Sequence, residues 1–246
     1  MIIYGINPVL EALRAGRVKE IRIADRAGGR LGDVMKLARD RGVRTVRVPA
    51  EALERDSRRG VHQGVVADIE DAESYSVDDL VRGAAGVPLL VVLDSIEDPH
   101  NVGAILRTAD AAGVDGVIRQ SRRAAPLAGA AAKASAGAVA HVRIAEVVNI
   151  ARALEELKEA GVWTVGLDGT ADTLYDAVDY TLPTAIVLGA EGSGLRRLVR
   201  ERCDRLASIP MRGHVESLNV SVAAGVTLFE AARQRRAGLT YGRDGG

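Results

Sequence analysis

From Pro88 onward, short and nearly uninterrupted apolar runs alternate with helical stretches, and this alternation restricts the fold more than any other feature. The runs are Leu89–Leu93, Val114–Ile118, His141–Ile144, Trp163–Leu167, Ala185–Leu188 and Leu206–Ile209. Helical patterns lie between and after them, at Val102–Ala112, Ala128–Ala136, Ile150–Ala160, Leu195–Arg202 and Leu218–Arg235. Strands without polar alternation are buried on both faces, and the intervening helices supply the crossovers that parallel pairing needs. The pattern predicts an α/β domain over 86–246 with a parallel, doubly wound sheet of six strands.

Residues 1–70 read as a separate small α/β unit. Asn7-Pro8 opens an amphipathic helix through Val9, Leu10, Ala12 and Leu13 that ends at Gly16, and a second helix spans Leu31–Arg41 before Gly42. Short strands are expected at Ile21–Ile23, Val43–Val48 and Gly64–Ala67. Residues 71–85, acidic and poor in apolar side chains, read as a linker with one short helical turn.

Composition excludes several classes. Of 246 residues, 47% are hydrophobic and 27% charged, the balance of a folded soluble protein. No apolar run approaches the roughly 20 residues of a transmembrane helix, and no basic segment with an apolar stretch opens the chain. A cytoplasmic protein with no membrane partner is expected. Cys203 is the single cysteine, so neither a disulfide framework nor a cysteine metal cluster is available, and no metal is expected. The 33 basic and 33 acidic residues cancel. Their distribution is uneven, because 1–70 holds 14 basic against 10 acidic residues, a net of +4, while 86–246 holds 18 against 19. A basic N-terminal unit keeps a nucleic-acid partner open. Of the basic residues 29 are Arg, which would suit bidentate phosphate recognition, although on composition alone a GC-rich genome is the better explanation.

Ligands of open parallel sheets bind beyond the carboxyl ends of the strands. Three unusual segments stand there: Asp94–Ala109, Gly189–Leu195 and Pro210–Ala223. Each admits a purely structural reading. Asp98-Pro99 is an N-cap and first-turn pair, leaving Asn101 in an opening turn and Arg107 as an exposed charge. Gly189–Gly194 is a strand-to-helix turn. It lacks the dinucleotide glycine fingerprint, which disfavours a nicotinamide-dependent oxidoreductase, and the lysine of a phosphate loop. A glycine turn around Glu191 suits a neutral or cationic ligand better than a pyrophosphate. Ser217 is a candidate N-cap for a last helix with Leu218, Val222, Val226 and Phe229 on its core face.

Together the segments resemble the three motifs of the SpoU/TrmH family of RNA ribose 2'-O-methyltransferases. The resemblance rests on Asn101-Val102-Gly103 with Arg107-Thr108-Ala109 and Gly113, and on Leu188-Gly189-Ala190-Glu191-Gly192 with Gly194-Leu195. It continues through Ile209-Pro210-Met211 and Ser217-Leu218-Asn219-Val220-Ser221-Val222-Ala223, in the family's order. Lys133–Ala138 resembles a further stretch usual in that family. Gly5, Val9–Leu13 and His62–Ala67 resemble the small RNA-binding domain of its rRNA-acting branch. The resemblance implies an L30e-like domain (1–70), a linker (71–85) and a SPOUT-type α/β domain (86–246) with a C-terminal trefoil knot. It implies S-adenosyl-L-methionine as cofactor, held by Gly189, Glu191, Gly192, Ile209, Met211, Leu218 and Asn219. It also implies a homodimer with a shared active site and RNA as partner, with a guanosine ribose of 23S rRNA favoured as the target. The alternatives are an antibiotic-resistance relative acting on the same RNA, a tRNA enzyme, and a catalytically silent RNA-binding or ribosome-assembly factor.

The implied reaction is an in-line attack of the ribose 2'-oxygen on a sulfonium methyl, so the protein has to orient two partners and manage one proton. His100 and His214 stand in the motif loops without matching a fixed motif position, and His62 and His141 lie outside those loops. The family's motif arginine is Arg107. A guanidinium is a poor base, so Arg107 is expected to hold the adjacent phosphate and stabilise the developing alkoxide. Asn101 is expected to orient the ribose or Arg107, and Glu191 to hold its loop or balance that arginine. Ser217 and Asn219 are expected to set the cofactor pocket and the nucleophile.

Overall fold

In the computed structural model the N-terminal strands β1 (Ile2–Tyr4), β2 (Val18–Ala24), β3 (Arg44–Val48) and β4 (Val65–Ile69) form one sheet in the order β1-β4-β2-β3. The pair β2–β3 is parallel, and β4 runs antiparallel to both of its neighbours. The structure describes residues 2–25, 31–57, 60–69, 75–121, 127 and 129–241, with side chains to 236. Residues 71–74 of the expected linker and Ala128 of the expected small-residue helix lie outside these. Contacts divide the chain into two units: residues 1–72, 98–107 and 125–141 form the first, and 73–97, 108–124 and 142–246 the second.

In the first unit α1 (Ile6–Arg14) buries Val9, Ala12 and Leu13, as its spacing predicts. Helix α2 (Gly32–Asp40) buries Val34 and Ala38. Two elements carried no sequence signal. Strand β1 is three residues long, and α3 (Ala50–Asp56) follows Pro49 and buries only Leu53, which packs on Tyr4 and Val66.

The acidic stretch after residue 74 does not behave as a linker. It forms α4 (Val77–Arg82), in which Ser76 and Asp79 make a reciprocal capping box. Val77 and Leu80 are buried in the core of the second unit beside Leu90, Ile118 and Leu154. Burial of one such leucine is worth about 1.5–3 kcal/mol, while Asp78, Asp79 and Arg82 stay in water. The expected helical turn is present, and what counting acids hid is its two core positions.

The second unit is built on β5 (Leu89–Asp94), β6 (Gly116–Gln120), β7 (Ile144–Val147), β8 (Trp163–Leu167), β9 (Thr184–Gly189) and β10 (Arg205–Ala207). Every pairing is parallel, in the order β10-β8-β9-β5-β6-β7, and β5 is buried at all six positions. The expected parallel sheet is present. Strand β7 starts at Ile144 rather than His141, because Ala138–Ala140 form a 3-10 turn ahead of it. The helices after β5 are α5 (Pro99–Ala112), α6 (Ala130–Ala134, part of the first unit), α7 (Ile150–Glu159), α8 (Arg197–Arg202) and α9 (Val220–Tyr241).

The last helix corrects the expected core face. Its buried residues are Val220, Ala224, Thr227, Leu228 and Ala231, while Leu218, Val222 and Phe229 are 37%, 50% and 54% exposed. Small side chains on one stripe let the helix lie close to its neighbours; Gly225 faces the Thr108 methyl. The bulkier stripe is left outside. Arg235 ties this helix to the amino ends of the strands. Its Nε donates to Tyr180 O (2.9 Å), its Nη2 to Pro88 O (2.8 Å) and Leu182 O (3.1 Å), and its Nη1 to Val87 O.

Cys203 has a structural role. Its Sγ donates to Val199 O at 3.3 Å, and burial, reinforced by Asp204, pushes the thiol up to about 12. The thiolate is the reactive form, so below pH 10 the folded protein is expected to resist a maleimide or Ellman's reagent. One thiol per chain should appear on unfolding in guanidinium. Rapid native labelling at pH 8 contradicts this assignment.

Candidate active site

A cavity of about 530 Å³ opens at the carboxyl ends of β8, β9 and β10. Its walls come from Leu167–Thr170 after β8, Leu188–Leu195 around the end of β9, and Ile209, Met211 and Glu216–Leu218 after β10. This is where the geometry of parallel sheets puts a ligand.

The glycine loop is held at its base in three ways. Ala190 N–H donates to Gly194 O (3.1 Å), and Gly194 N–H donates back to Ala190 O (2.9 Å). Gly189 lies so close to this pair that a Cβ there would overlap the backbone of Gly194 and Leu195. Beyond the loop, the fully buried Asp94 accepts from the Arg196 backbone N–H (2.9 Å) and Nε (2.7 Å), with Nη2 at 2.5 Å. That carboxylate therefore anchors the start of α8 to the end of β5. The two halves of the pair are not equivalent. Arg196→Ala strands a buried charge and is expected to cost about 3–5 kcal/mol. Asp94→Asn leaves a half-exposed guanidinium that water can solvate, and is expected to cost about 1–2 kcal/mol. Urea denaturation of both variants checks the order.

The cavity walls carry Asp168, Glu191 and Glu216 against the single cation Arg200. Burial alone would raise the Asp168 carboxyl, but hydrogen bonds from Thr170 and Arg200 override it and hold the group below its ordinary value. Arg200 Nε meets it at 2.5 Å. An acidic lining favours a cationic ligand and opposes a pyrophosphate.

Asn219 joins the glycine loop to the last helix. Its Nδ2 donates to Glu191 Oε1 (2.5 Å), and its Oδ1 accepts from the Ser221 N–H (2.8 Å) and Oγ (2.6 Å). Asn219, not Ser217, is thus the N-cap of α9. Ser217 sits two residues earlier on the cavity wall. Of the residues assigned from the motifs, Gly189, Glu191, Gly192, Ile209, Met211, Ser217 and Leu218 line one cavity, with Asn219 bonded to Glu191.

Asn101 and Arg107 belong to the first unit, Asn101 in the opening turn of α5 and Arg107 in its third. The expected cap is present, with the His100 N–H donating to Asp98 Oδ1 (3.0 Å). Asn101 is 6% exposed, whereas Arg107 is exposed and makes no ion pair among the described residues. His214 is exposed and is not on the cavity wall. Sequence reasoning missed Leu167–Thr170 and Arg200. The strand-end rule that singled out the other loops applies equally to β8 and would have found the first of these. Arg200 looked like one of four arginines in the ordinary helical stretch Leu195–Arg202. Among the described residues no group of His, Cys, Asp and Glu could hold a metal ion, and no helix is long and apolar enough to cross a membrane.

Comparison with known proteins assigns the family. The model of the SpoU rRNA methylase family matches residues 88–229, and that for RNA 2'-O ribose methyltransferase substrate binding matches 2–75. The chain belongs to the SpoU rRNA methylase family. Within it, the chain is 46% identical over 242 residues to the 23S rRNA (guanosine-2'-O-)-methyltransferase RlmB of Pseudomonas syringae pv. tomato, covering 96% of each sequence. It is 42% identical to YacO of Bacillus subtilis, a putative TrmH family tRNA/rRNA methyltransferase, covering 95% of each. Among solved SpoU structures, AviRb of Streptomyces viridochromogenes in complex with the cofactor AdoMet superposes with a TM-score of 0.79 at 28% identity, over 96% of this chain and 91% of that one.

Proposed function

We propose that this SpoU-family chain transfers a methyl group from S-adenosylmethionine to the ribose 2'-oxygen of a guanosine in 23S rRNA. The observation that carries the reading is the acidic cavity at the ends of β8, β9 and β10. Its volume, about 530 Å³, falls in the roughly 300–1,000 Å³ range of cofactor sites. The cavity fits the cofactor: Leu188, Leu195, Ile209 and Leu218 offer apolar walls to an adenine, and Asp168, Glu191 and Glu216 favour a sulfonium and an ammonium. When bound, S-adenosylmethionine supplies an electrophilic methyl carbon on a good leaving group.

The residues of the chain then have distinct tasks. Gly189, Glu191, Gly192, Ile209, Met211, Leu218 and Asn219 hold the cofactor, and the Asn219–Glu191 hydrogen bond fixes one rim of its cavity. Arg107 binds the phosphate beside the target ribose and stabilises the 2'-oxygen as it loses its proton. Asn101 orients the ribose or Arg107, and Ser217 aligns the nucleophile. Residues 1–70, with their net of +4, grip the RNA, and 86–246 form the methyltransferase domain with the trefoil knot. A homodimer completes the reading; the exposed Leu218, Val222 and Phe229 on and beside α9 give a second copy an apolar surface to cover. Its workplace is the cytoplasm.

The test is to incubate the protein with unmodified 23S rRNA and tRNA transcripts and methyl-labelled cofactor, then map ribose methylation by mass spectrometry. Label on one guanosine of 23S rRNA is expected. Label in tRNA alone favours the tRNA reading that the likeness to YacO leaves open. RNA and cofactor binding without transfer to either RNA favours a silent assembly factor.

A further inference from the structure

The stretch Lys133–Ala138 has no part in the reaction as derived so far, yet the first unit builds it with care. Helix α6 contains only alanines and Lys133. It lies so close to α5 that a Cβ on Gly103 would fall 2.5 Å from both Ala131 O and Ala134 Cβ. Ser135, buried just past the helix, donates from Oγ to Ala132 O (2.8 Å). Arg17 then holds the following turn through Val139 O (3.2 Å) and Ala140 O (2.7 Å). Everything that positions this segment comes from other residues. The Lys133 side chain is exposed and makes no hydrogen bond or ion pair among the described residues.

The close approach has a directional consequence. Gly103 and Arg107 are four apart on α5, so they share one helix face. The face that α6 rides on is the face that carries Arg107 one turn later, and Arg107 is likewise exposed, with no ion pair among the described residues. Of the acids nearby, Asp98 caps α5 and Glu11 of α1 pairs with Arg14 and faces His141, while Asp110, three residues after Arg107 on α5, is exposed and forms no ion pair with it. Two uncompensated cations on adjoining helices of one unit make a place for a polyanion. A nucleic-acid strand presents phosphates at regular intervals and can engage both.

We infer that Lys133 is a substrate-binding residue of the methyl transfer, its ammonium holding a backbone phosphate of the RNA next to the one held by Arg107. This rests on the RNA methyltransferase reading above and assigns one further contact within it. Lysine suits the role as a point charge that needs no fixed approach geometry.

The experiment compares wild type, Lys133→Ala and Lys133→Arg on a 23S rRNA transcript with labelled cofactor, measuring RNA affinity across a salt series. Lys133→Ala is expected to raise the KM for RNA about tenfold. The slope of log K against log salt should become shallower by about 0.7, the loss of one phosphate contact on a single strand. Cofactor affinity by calorimetry should be unchanged, and Lys133→Arg should restore most of the RNA affinity. A purely structural role would leave the salt slope unchanged. An unaltered slope with normal KM, or failure of arginine to rescue, overturns the inference. Absence of methylation by the wild-type protein would instead strike the parent reading; the salt slope of RNA binding would still decide the role of Lys133.

Discussion

Arg107→Ala is expected to lower methyl transfer about 10²–10³-fold, the loss typical of removing one preorganised donor from a developing oxyanion. Cofactor affinity should stay near that of the wild type. The side chain is exposed and makes no ion pair among the described residues, so its removal takes nothing from the fold. The thermal midpoint should therefore hold as well. Arg107→Lys keeps the charge and loses the fork, and should recover about tenfold of the activity. The effect belongs on kcat for a fixed RNA, because an interaction that strengthens as negative charge develops acts in the transition state. Calorimetry with the cofactor and a labelled-methyl assay measure the two halves. Near-normal turnover of the alanine variant would remove Arg107 from the mechanism.

Gly189→Ala is expected to weaken cofactor binding by about 100-fold or more. Added at the end of β9, a Cβ would overlap the backbone of Gly194 and Leu195. Backbone cannot rotate aside as the tip of a flexible side chain can, so the loop must shift bodily. The paired hydrogen bonds between Ala190 and Gly194 would open, and Glu191 would move away from Asn219. Overpacking of this kind costs about 1–3 kcal/mol, which leaves the six-stranded sheet folded while the cavity wall is displaced. Arg197→Ala, an exposed position on α8 outside the cavity wall, should bind the cofactor normally. Equal affinity for both variants would mean that the loop is not a cofactor wall.

The distribution of arginine illustrates how far composition alone can lead. An excess of 29 Arg over four Lys suits phosphate recognition, though composition alone favours a GC-rich genome as its cause. In the structure many guanidiniums serve the fold instead. Arg22 bridges Asp56 and Asp68, Arg196 meets the buried Asp94, Arg200 meets Asp168, and Arg235 gathers four carbonyls. The fork that fits a phosphate fits a carboxylate or a set of carbonyls equally well. Only the three-dimensional surroundings decide which it holds, and they leave Arg107 in solvent.

What the sequence by itself determined was the alternation of buried strands and helices and the strand-end loops. Both are local properties: apolar runs at Leu89–Leu93 and Ala185–Leu188 have no polar face to turn to water, and Asp98-Pro99 can start a helix without tertiary help. Three quantities were not local. Residues 75–82 looked like a linker because two core positions, Val77 and Leu80, are too few to read against the three charges Asp78, Asp79 and Arg82. The strand-end rule marks residues 167–170 as a candidate loop, but that they share one cavity with the loops after β9 and β10 follows from β8 lying between those strands, an order that appears only when the sheet is assembled. The last helix has two apolar stripes at helical spacing, and hydrophobicity alone favours the one with Val222 and Phe229. Tertiary packing chose the stripe of Ala224, Thr227, Leu228 and Ala231, because small side chains let a helix come close to its neighbours, and left the bulkier stripe facing outward.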